Sequence, residues 1–468
     1  MPPFLGLLVY FVLMLVLLRW SKDPADSPAL WVPVIWLLIM SSRLLSQWLG
    51  LVQTSAATAF EEGSALDRAV FLLLIILGLR ILATRHVNWA ELFARNSGLM
   101  LFLVFTLASV MWSDFPYISF KRWFRDLGTY VMVLVVLSDT HPLIAISTVI
   151  RRFSSIVLFL SLILIKYYPG MAIVYDPWLG KPEYVGATTS KNMLGVVCLI
   201  SGLFYFWDTL GRWPERKTPE ARRVLVANIA LMAVTWKLLM LSNSATSQGC
   251  LFLGCLIMMI VRSRWAKANP RLVTTGIPVG LAGLALLDFL FDLSSTVAGL
   301  FGRDPTLTGR TGIWDAVLAV QTNPLIGVGY QSFWMGGRLA AVWSSLNAWF
   351  PLSEAHNGYL ETYLNLGFIG LLLLIVFMLS SCRTVFRQIV VSPHFASFSV
   401  AFWTITVFYN LTESAFGASL LWFVLLLCAI VVPLSAEVPW AVVQRGRGTA
   451  PQRYMNRPVH VLTEKGVR

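Results

Sequence analysis

The sequence predicts an all-α, polytopic integral membrane protein with about twelve to thirteen transmembrane helices, interrupted once, at 292–357, by a long loop that carries short interfacial helices. Three observations carry that expectation. Apolar residues make up 57% of the 468-residue chain and charged residues 13%, where a soluble domain is nearer half apolar and a quarter charged. Runs of about 15 to 22 residues with few or no charges, long enough to cross a hydrocarbon core, recur too often for the interior of one soluble domain. Lys and Arg are also spread unevenly between alternate connections.

In chain order, hydropathy places spans at 3–18, 29–49, 67–83, 97–111, 126–138, 153–168, 191–208, 223–241, 246–262, 273–291, 358–379, 395–411 and 416–434. The first run has no basic residues ahead of it and no small-x-small cleavage site after it. It reads on into Leu17, Leu18 and Arg19 as a retained helix. The chain divides into an N-terminal bundle at 1–291, the loop at 292–357, three C-terminal spans at 358–436 and a basic tail at 437–468. The tail is rich in Arg, Gly, Pro and Gln without apolar period, the pattern of a disordered segment held near anionic lipid.

Two thirds of the 36 Lys and Arg fall in one alternate set of connections, which includes Arg151/Arg152, the run from Arg212 to Arg223 and the tail. Basic loops resist translocation, so the tail is expected in the cytoplasm and 292–357 on the far side. The +13 formal charge is then an orientation signal, and nucleic-acid binding is not needed to explain it. All five cysteines lie in apolar runs without a Cys-x-x-Cys pair and read as packing residues. No fixed-period repeat supports an inverted-repeat transporter.

Polar residues gather on the far side. In the long loop, Thr308 or Thr311 can cap a helix whose Ile313, Trp314, Val317 and Leu318 share a face, with Arg310 at its start, Pro324 ending it, and Gly327 and Gly329 turning the chain back. An Arg beside free amides at a helix start suits a diphosphate, and a snorkelling surface arginine is the alternative. His356 follows, placed on the first turn of a helix at the membrane surface with Asn357, Tyr359, Tyr363 and Gly370, where Gly367 and Gly370 thin the helix for packing. Among the five histidines only His356 is placed to act outside. General-base catalysis and a helix-end cap both fit it.

Lys181, Lys191 and Asn192 form a third cluster at a helix N-terminus suited to an anion, and Arg122 and Arg125 belong to a basic aromatic segment that reads as an interfacial anchor. Glu413 sits in a short outer turn and can pair with one of these cations. Metal chemistry has little support in the far-side motifs, which offer only the pair Glu61-Glu62.

The order Gly309-Arg310 to Trp314, Asn323-Pro324-Leu-Ile-Gly327-Val-Gly329, then His356-Asn357 with ten residues to Gly367 and Gly370 resembles the O-antigen ligase family and its polymerase relatives. Ser190-Lys191-Asn192-Met-Leu-Gly195 and Asn410-Leu-Thr-Glu413-Ser look like its exopolysaccharide-production branch. The resemblance runs from about Trp112 to the last span. It implies a bacterial inner-membrane glycosyltransferase that moves a glycan from an undecaprenyl-diphosphate carrier to an acceptor hydroxyl at the periplasmic face, without metal or cofactor. It would use the lipid bilayer and polysaccharide assembly proteins as partners. Arg310 takes the diphosphate-binding arginine position and His356 that of the base, with Lys191, Lys181, Arg122 and Arg125 as further cations. One departure is Val185, where relatives often carry an arginine before the glycine at Gly186. Two other classes remain open: a flippase for lipid-linked glycans, and a non-catalytic component of an export system.

Overall fold

Several helices have starts set by a side chain that accepts a backbone N–H: Ser64, Asn88, Ser190, Thr218, Ser263, Asn357 and Ser419 all do so. The computed structural model describes residues 3–20, 26–51, 64–175, 180–291, 310–346 and 354–433. In chain order the helices are α1 (Pro3–Trp20), α2 (Trp31–Ser41), α3 (Leu45–Trp48), α4 (Ala65–Ala83), α5 (Trp89–Arg95), α6 (Ser97–Ala108), α7 (Pro116–Leu137), α8 (Pro142–Tyr167) and α9 (Pro169–Ala172). A two-stranded antiparallel hairpin, β1 (Ile173–Tyr175) and β2 (Pro182–Tyr184), follows. Then come α10 (Lys191–Arg212), α11 (Pro219–Ser242), α12 (Ala245–Arg262), α13 (Arg264–Ala268), α14 (Pro270–Phe291), α15 (Arg310–Ala319), α16 (Gly336–Ser345), α17 (Gly358–Val391), α18 (Pro393–Thr412) and α19 (Leu420–Ala429).

Each expected span contains helix, though 29–49 is broken and 416–434 holds only the ten-residue α19, and the chain is an all-α, multi-pass membrane protein. Among the described residues six helices, α8, α10, α11, α12, α17 and α18, are long and apolar enough to cross a membrane, and α5 with α6 makes a seventh if that 91° bend lies within one span. Others are shorter, like α19 and the broken stretch at 29–49, or more charged, like α4 and α7. A continuous apolar core runs from Leu30 to Ala429, with α10 buried along most of its length against α11 and α12.

Several expectations change. The basic aromatic segment and the span at 126–138 are one 22-residue helix, α7, because nothing between Pro116 and Leu137 breaks the backbone ladder. Arg151 is not in a connection: α8 begins at Pro142 and carries it inward. Helix α15 starts at Arg310, so Thr311 lies inside it, and it ends at Ala319, before Pro324. Leu318 is exposed, while Val317 is buried in a small second core with Phe333, Trp334, Val342, Ala355 and Leu364. Thr308, the Glu61-Glu62 pair, 292–309, 347–353 and the tail at 437–468 lie outside the described residues.

Gly367 does not thin α17 but breaks it. Its backbone turns left-handed at φ 64°, and a Cβ there would lie 2.3 Å from the carbonyl carbon of Leu325. The break frees backbone groups that the 324–329 segment takes up: Phe368 and Ile369 donate to the carbonyls of Pro324 and Leu325, while Val328 and Gly329 donate to those of Leu364 and Asn365. Gly327 answers on the other side, at φ 66° and with room for no Cβ against Asn365. The loop is thereby clamped to α17 just beyond His356.

Candidate functional site

Helix α18 ends at Thr412, and the turn after it presents Glu413, only 4% exposed. The carbonyl of Glu413 accepts the N–H of Gly358, and a Cβ on Gly358 would sit 2.1 Å from Asn410 Oδ1. This close approach pins the start of α17 on the end of α18. The segment before α17 is bracketed through Ala355, whose N–H donates to Glu361 Oε2 and whose carbonyl accepts the Trp314 indole of α15. Glu361 is in turn held by the Trp334 indole and the Asn365 amide.

The bracket puts His356 before the helix, not on its first turn. Asn357 is the cap, with Oδ1 accepting from Tyr359 and Leu360, and His356 adopts a left-handed backbone at φ 49°. The imidazole Nδ1 lies 3.3 Å from Glu413 Oε2 and 3.3 Å from Glu354 Oε1. Glu413 also binds Arg310 Nη2 through Oε1 at 2.6 Å and Asn192 Nδ2 through Oε2 at 3.1 Å. Four separate stretches of sequence thus meet at one buried carboxylate.

Burial pushes the Glu354 carboxyl up to about 7; His356 and Arg310 oppose this, and the charges of Glu413 and Glu361 reinforce it. For His356, burial acts downward, but the hydrogen bond to Glu413 and the charges of Glu354 and Glu413 outweigh it and leave the imidazole above its ordinary value. A carboxylate on Nδ1 holds the proton there and leaves Nε2 as the basic nitrogen. Glu354, His356 and Glu413 present donor atoms within 4.8 Å of one another, the one group among the described residues that could gather a metal. Arg310 and Asn192 already engage both Glu413 oxygens, so the positive charge a cation would supply comes here from the chain itself.

The other expected cations lie apart from this cluster. Lys191 pairs with Glu183 of β2, and Lys181 is exposed just before that strand. Val185 is buried, its N–H bonded to the Ala172 carbonyl. The Tyr359 hydroxyl donates to the Val407 carbonyl and its ring packs edge-on against Phe416, a structural placement. Arg122 and Arg125 line a cavity of about 260 Å³ beside the cluster, which Glu354, Gly358 and Ser414 also border. Sequence reasoning missed Glu354; the signal available was its spacing of two residues from His356.

Residues 230–375, which contain Arg310, Glu354 and His356, match the family model described as O-Antigen ligase. The chain is similar to the exopolysaccharide production protein ExoQ of Rhizobium meliloti (strain 1021), 26% identical over 324 residues that cover 67% of this chain and 68% of that protein. Together these matches support the membership of the O-antigen ligase family that the motif order implied, and with it a glycan-transfer role in polysaccharide biosynthesis.

Proposed function

We propose that this O-antigen ligase family protein transfers a glycan from an undecaprenyl-diphosphate carrier to an acceptor hydroxyl at the periplasmic face of the bacterial inner membrane, with its C-terminal tail in the cytoplasm. The observation that carries the reading is the convergence of His356, Arg310 and Asn192 on Glu413, with Glu354 against the same imidazole nitrogen, beside a cavity.

In the mechanism, Nε2 of His356 takes the proton of the acceptor hydroxyl as its oxygen attacks the anomeric carbon. The bond from that carbon to the diphosphate oxygen breaks, and the carrier diphosphate leaves with the electron pair. Glu413 holds the imidazole and shares the positive charge it gains. Arg310 stabilises the charge growing on the diphosphate, work that a cation fixed at a helix start does without reorganisation. A single displacement inverts the anomeric centre, and no step uses a metal.

The test is complementation of a deletion strain at equal protein level. His356→Ala and Arg310→Ala are each expected to cut polysaccharide output by about a hundredfold or more. Full output from both variants, or a retained anomeric configuration in the product, overturns the mechanism. The glycan of the deletion strain separates the two activities in the family: uncapped core marks a ligase, and single repeat units mark a polymerase.

A further inference from the structure

The cavity beside the His356 cluster has a wall that proton removal and diphosphate binding leave unused. Helix α7 supplies Arg122, Trp123, Arg125 and Asp126, and the turn after α15 supplies Tyr330 and Gln331. Buried Asp126 organises it: Oδ1 accepts from Arg125 Nε at 2.9 Å, and Oδ2 accepts from the Tyr330 hydroxyl at 2.9 Å and from Gln331 Nε2 at 2.6 Å. Arg122 donates to the Gln331 carbonyl at 2.6 Å.

Gln331 carries an independent mark. Among the described residues three non-glycine positions have a positive φ, Asn243, Gln331 and His356. Asn243 ends helix α11, where a left-handed residue is usual. The other two belong to this cavity and the cluster beside it. Such backbone conformations persist where the surrounding structure holds them, and they gather at ligand sites.

We propose that this cavity binds a sugar ring of the acceptor glycan, with Gln331 as the residue that reads its hydroxyls. Donation from Nε2 to Asp126 fixes the amide orientation, so Oε1 is the acceptor offered to a sugar hydroxyl. Trp123, Trp334 and Phe416 line the cavity and supply apolar surface of the kind a pyranose packs against. The cavity of about 260 Å³ suits one ring, which displaces roughly six waters of ~30 Å³ each. An oxyanion fits less well, because three carboxylates, Asp126, Glu354 and Glu361, line the same space. Arg122 and Arg125 are thus assigned to the acceptor side, and Arg310 keeps the diphosphate. This assignment rests on the transfer reading above for its orientation, and its test does not depend on turnover.

The experiment is equilibrium dialysis of the full chain in lipid nanodiscs against the labelled free acceptor sugar: the core oligosaccharide if the deletion strain shows uncapped core, or the repeat unit released by mild acid from the lipid-linked glycan if it shows single repeat units. The wild-type chain should bind it, Gln331→Ala about five- to tenfold more weakly, the loss of one or two neutral hydrogen bonds, and undecaprenyl diphosphate should not displace it. Gln331→Asn, which tolerates the left-handed backbone, should fall between, and unchanged melting of both variants shows that the fold is intact. Equal affinity in Gln331→Ala, or displacement by undecaprenyl diphosphate together with weaker binding of that lipid by Arg125→Gln, overturns the assignment. Full activity of His356→Ala would instead sink the mechanism and leave the dialysis result standing.

Discussion

Two buried polar clusters lie near opposite ends of α10 and α18. At one end Asn192 of α10 and Glu413 after α18 join Arg310, Glu354 and His356. At the other, about 24 Å along α10 at 1.5 Å per residue, Asp208 accepts from Arg151 at 2.5 Å, from Arg212 at 3.0 Å and from Asn228 at 2.7 Å, while His394 at the start of α18 stacks on Trp207. Both tie helices together, but their chemistry differs. The Asp208 cluster has a closed centre: Arg151, Asp208 and Asn228 are at most 5% exposed and bond to one another. The His356 cluster combines a carboxyl pushed up to about 7 and an imidazole held above its ordinary value, beside a cavity. Burial with saturated partners makes a fastening; burial with a proton in play makes a candidate site.

Parallel neutral substitutions should separate the two most sharply. Asp208→Asn leaves Arg151 buried without its counter-charge and is expected to destabilise the chain by about 3–5 kcal/mol, the cost typical of breaking a buried pair. Its readout is loss of folded protein from membranes and a lower melting temperature. Glu413→Gln also removes a counter-charge, but from Arg310 and His356, which are more exposed than Arg151. Protein level should therefore fall less than in Asp208→Asn, while the transfer rate falls by about tenfold or more, as the imidazole loses its anionic partner. Equal loss of protein in both variants would erase the distinction.

Much of this contrast was legible in the sequence, and the reasons for the rest are tertiary. Helical runs show in hydropathy because the bilayer demands them, and Arg310, His356 and Glu413 stand out because polar residues are scarce in such a chain. Glu354 did not stand out, since its weight comes from burial beside Glu413 and Glu361, which lie elsewhere in the chain. Gly367 read as a packing residue because nothing local reveals that the 324–329 backbone enters the helix at that point. Arg151 read as a loop charge for the same reason: its partner Asp208 is 57 residues away.

A second test probes the titrating character directly. The proposed mechanism needs the neutral imidazole, and the folded value of His356 is raised, so it predicts a rate that climbs as pH rises through the region above 6.5. Part of that rise in the imidazole's value comes from the Glu354 charge, which is itself present only above about 7. Glu354→Gln removes this contribution, so the acid limb of the pH–rate profile should move to lower pH and the variant should lose less of its own maximum at pH 6. An unmoved limb would make Glu354 a bystander.

The smallest effect is expected at Lys191, and it tests whether proximity in sequence to Asn192 means membership in the cluster. Asn192 reaches Glu413 from the first turn of α10, while Lys191, one residue earlier, points to Glu183 on the hairpin and is 38% exposed. An ion pair that open contributes about 0–1 kcal/mol, and any cationic help to a diphosphate must compete with Glu183 for the ammonium. Lys191→Gln should therefore lower transfer by less than about fivefold, with the pH–rate profile unchanged. Loss comparable to that of Arg310→Ala would enlarge the cluster to include the hairpin and make Lys191 a second cation on the leaving group.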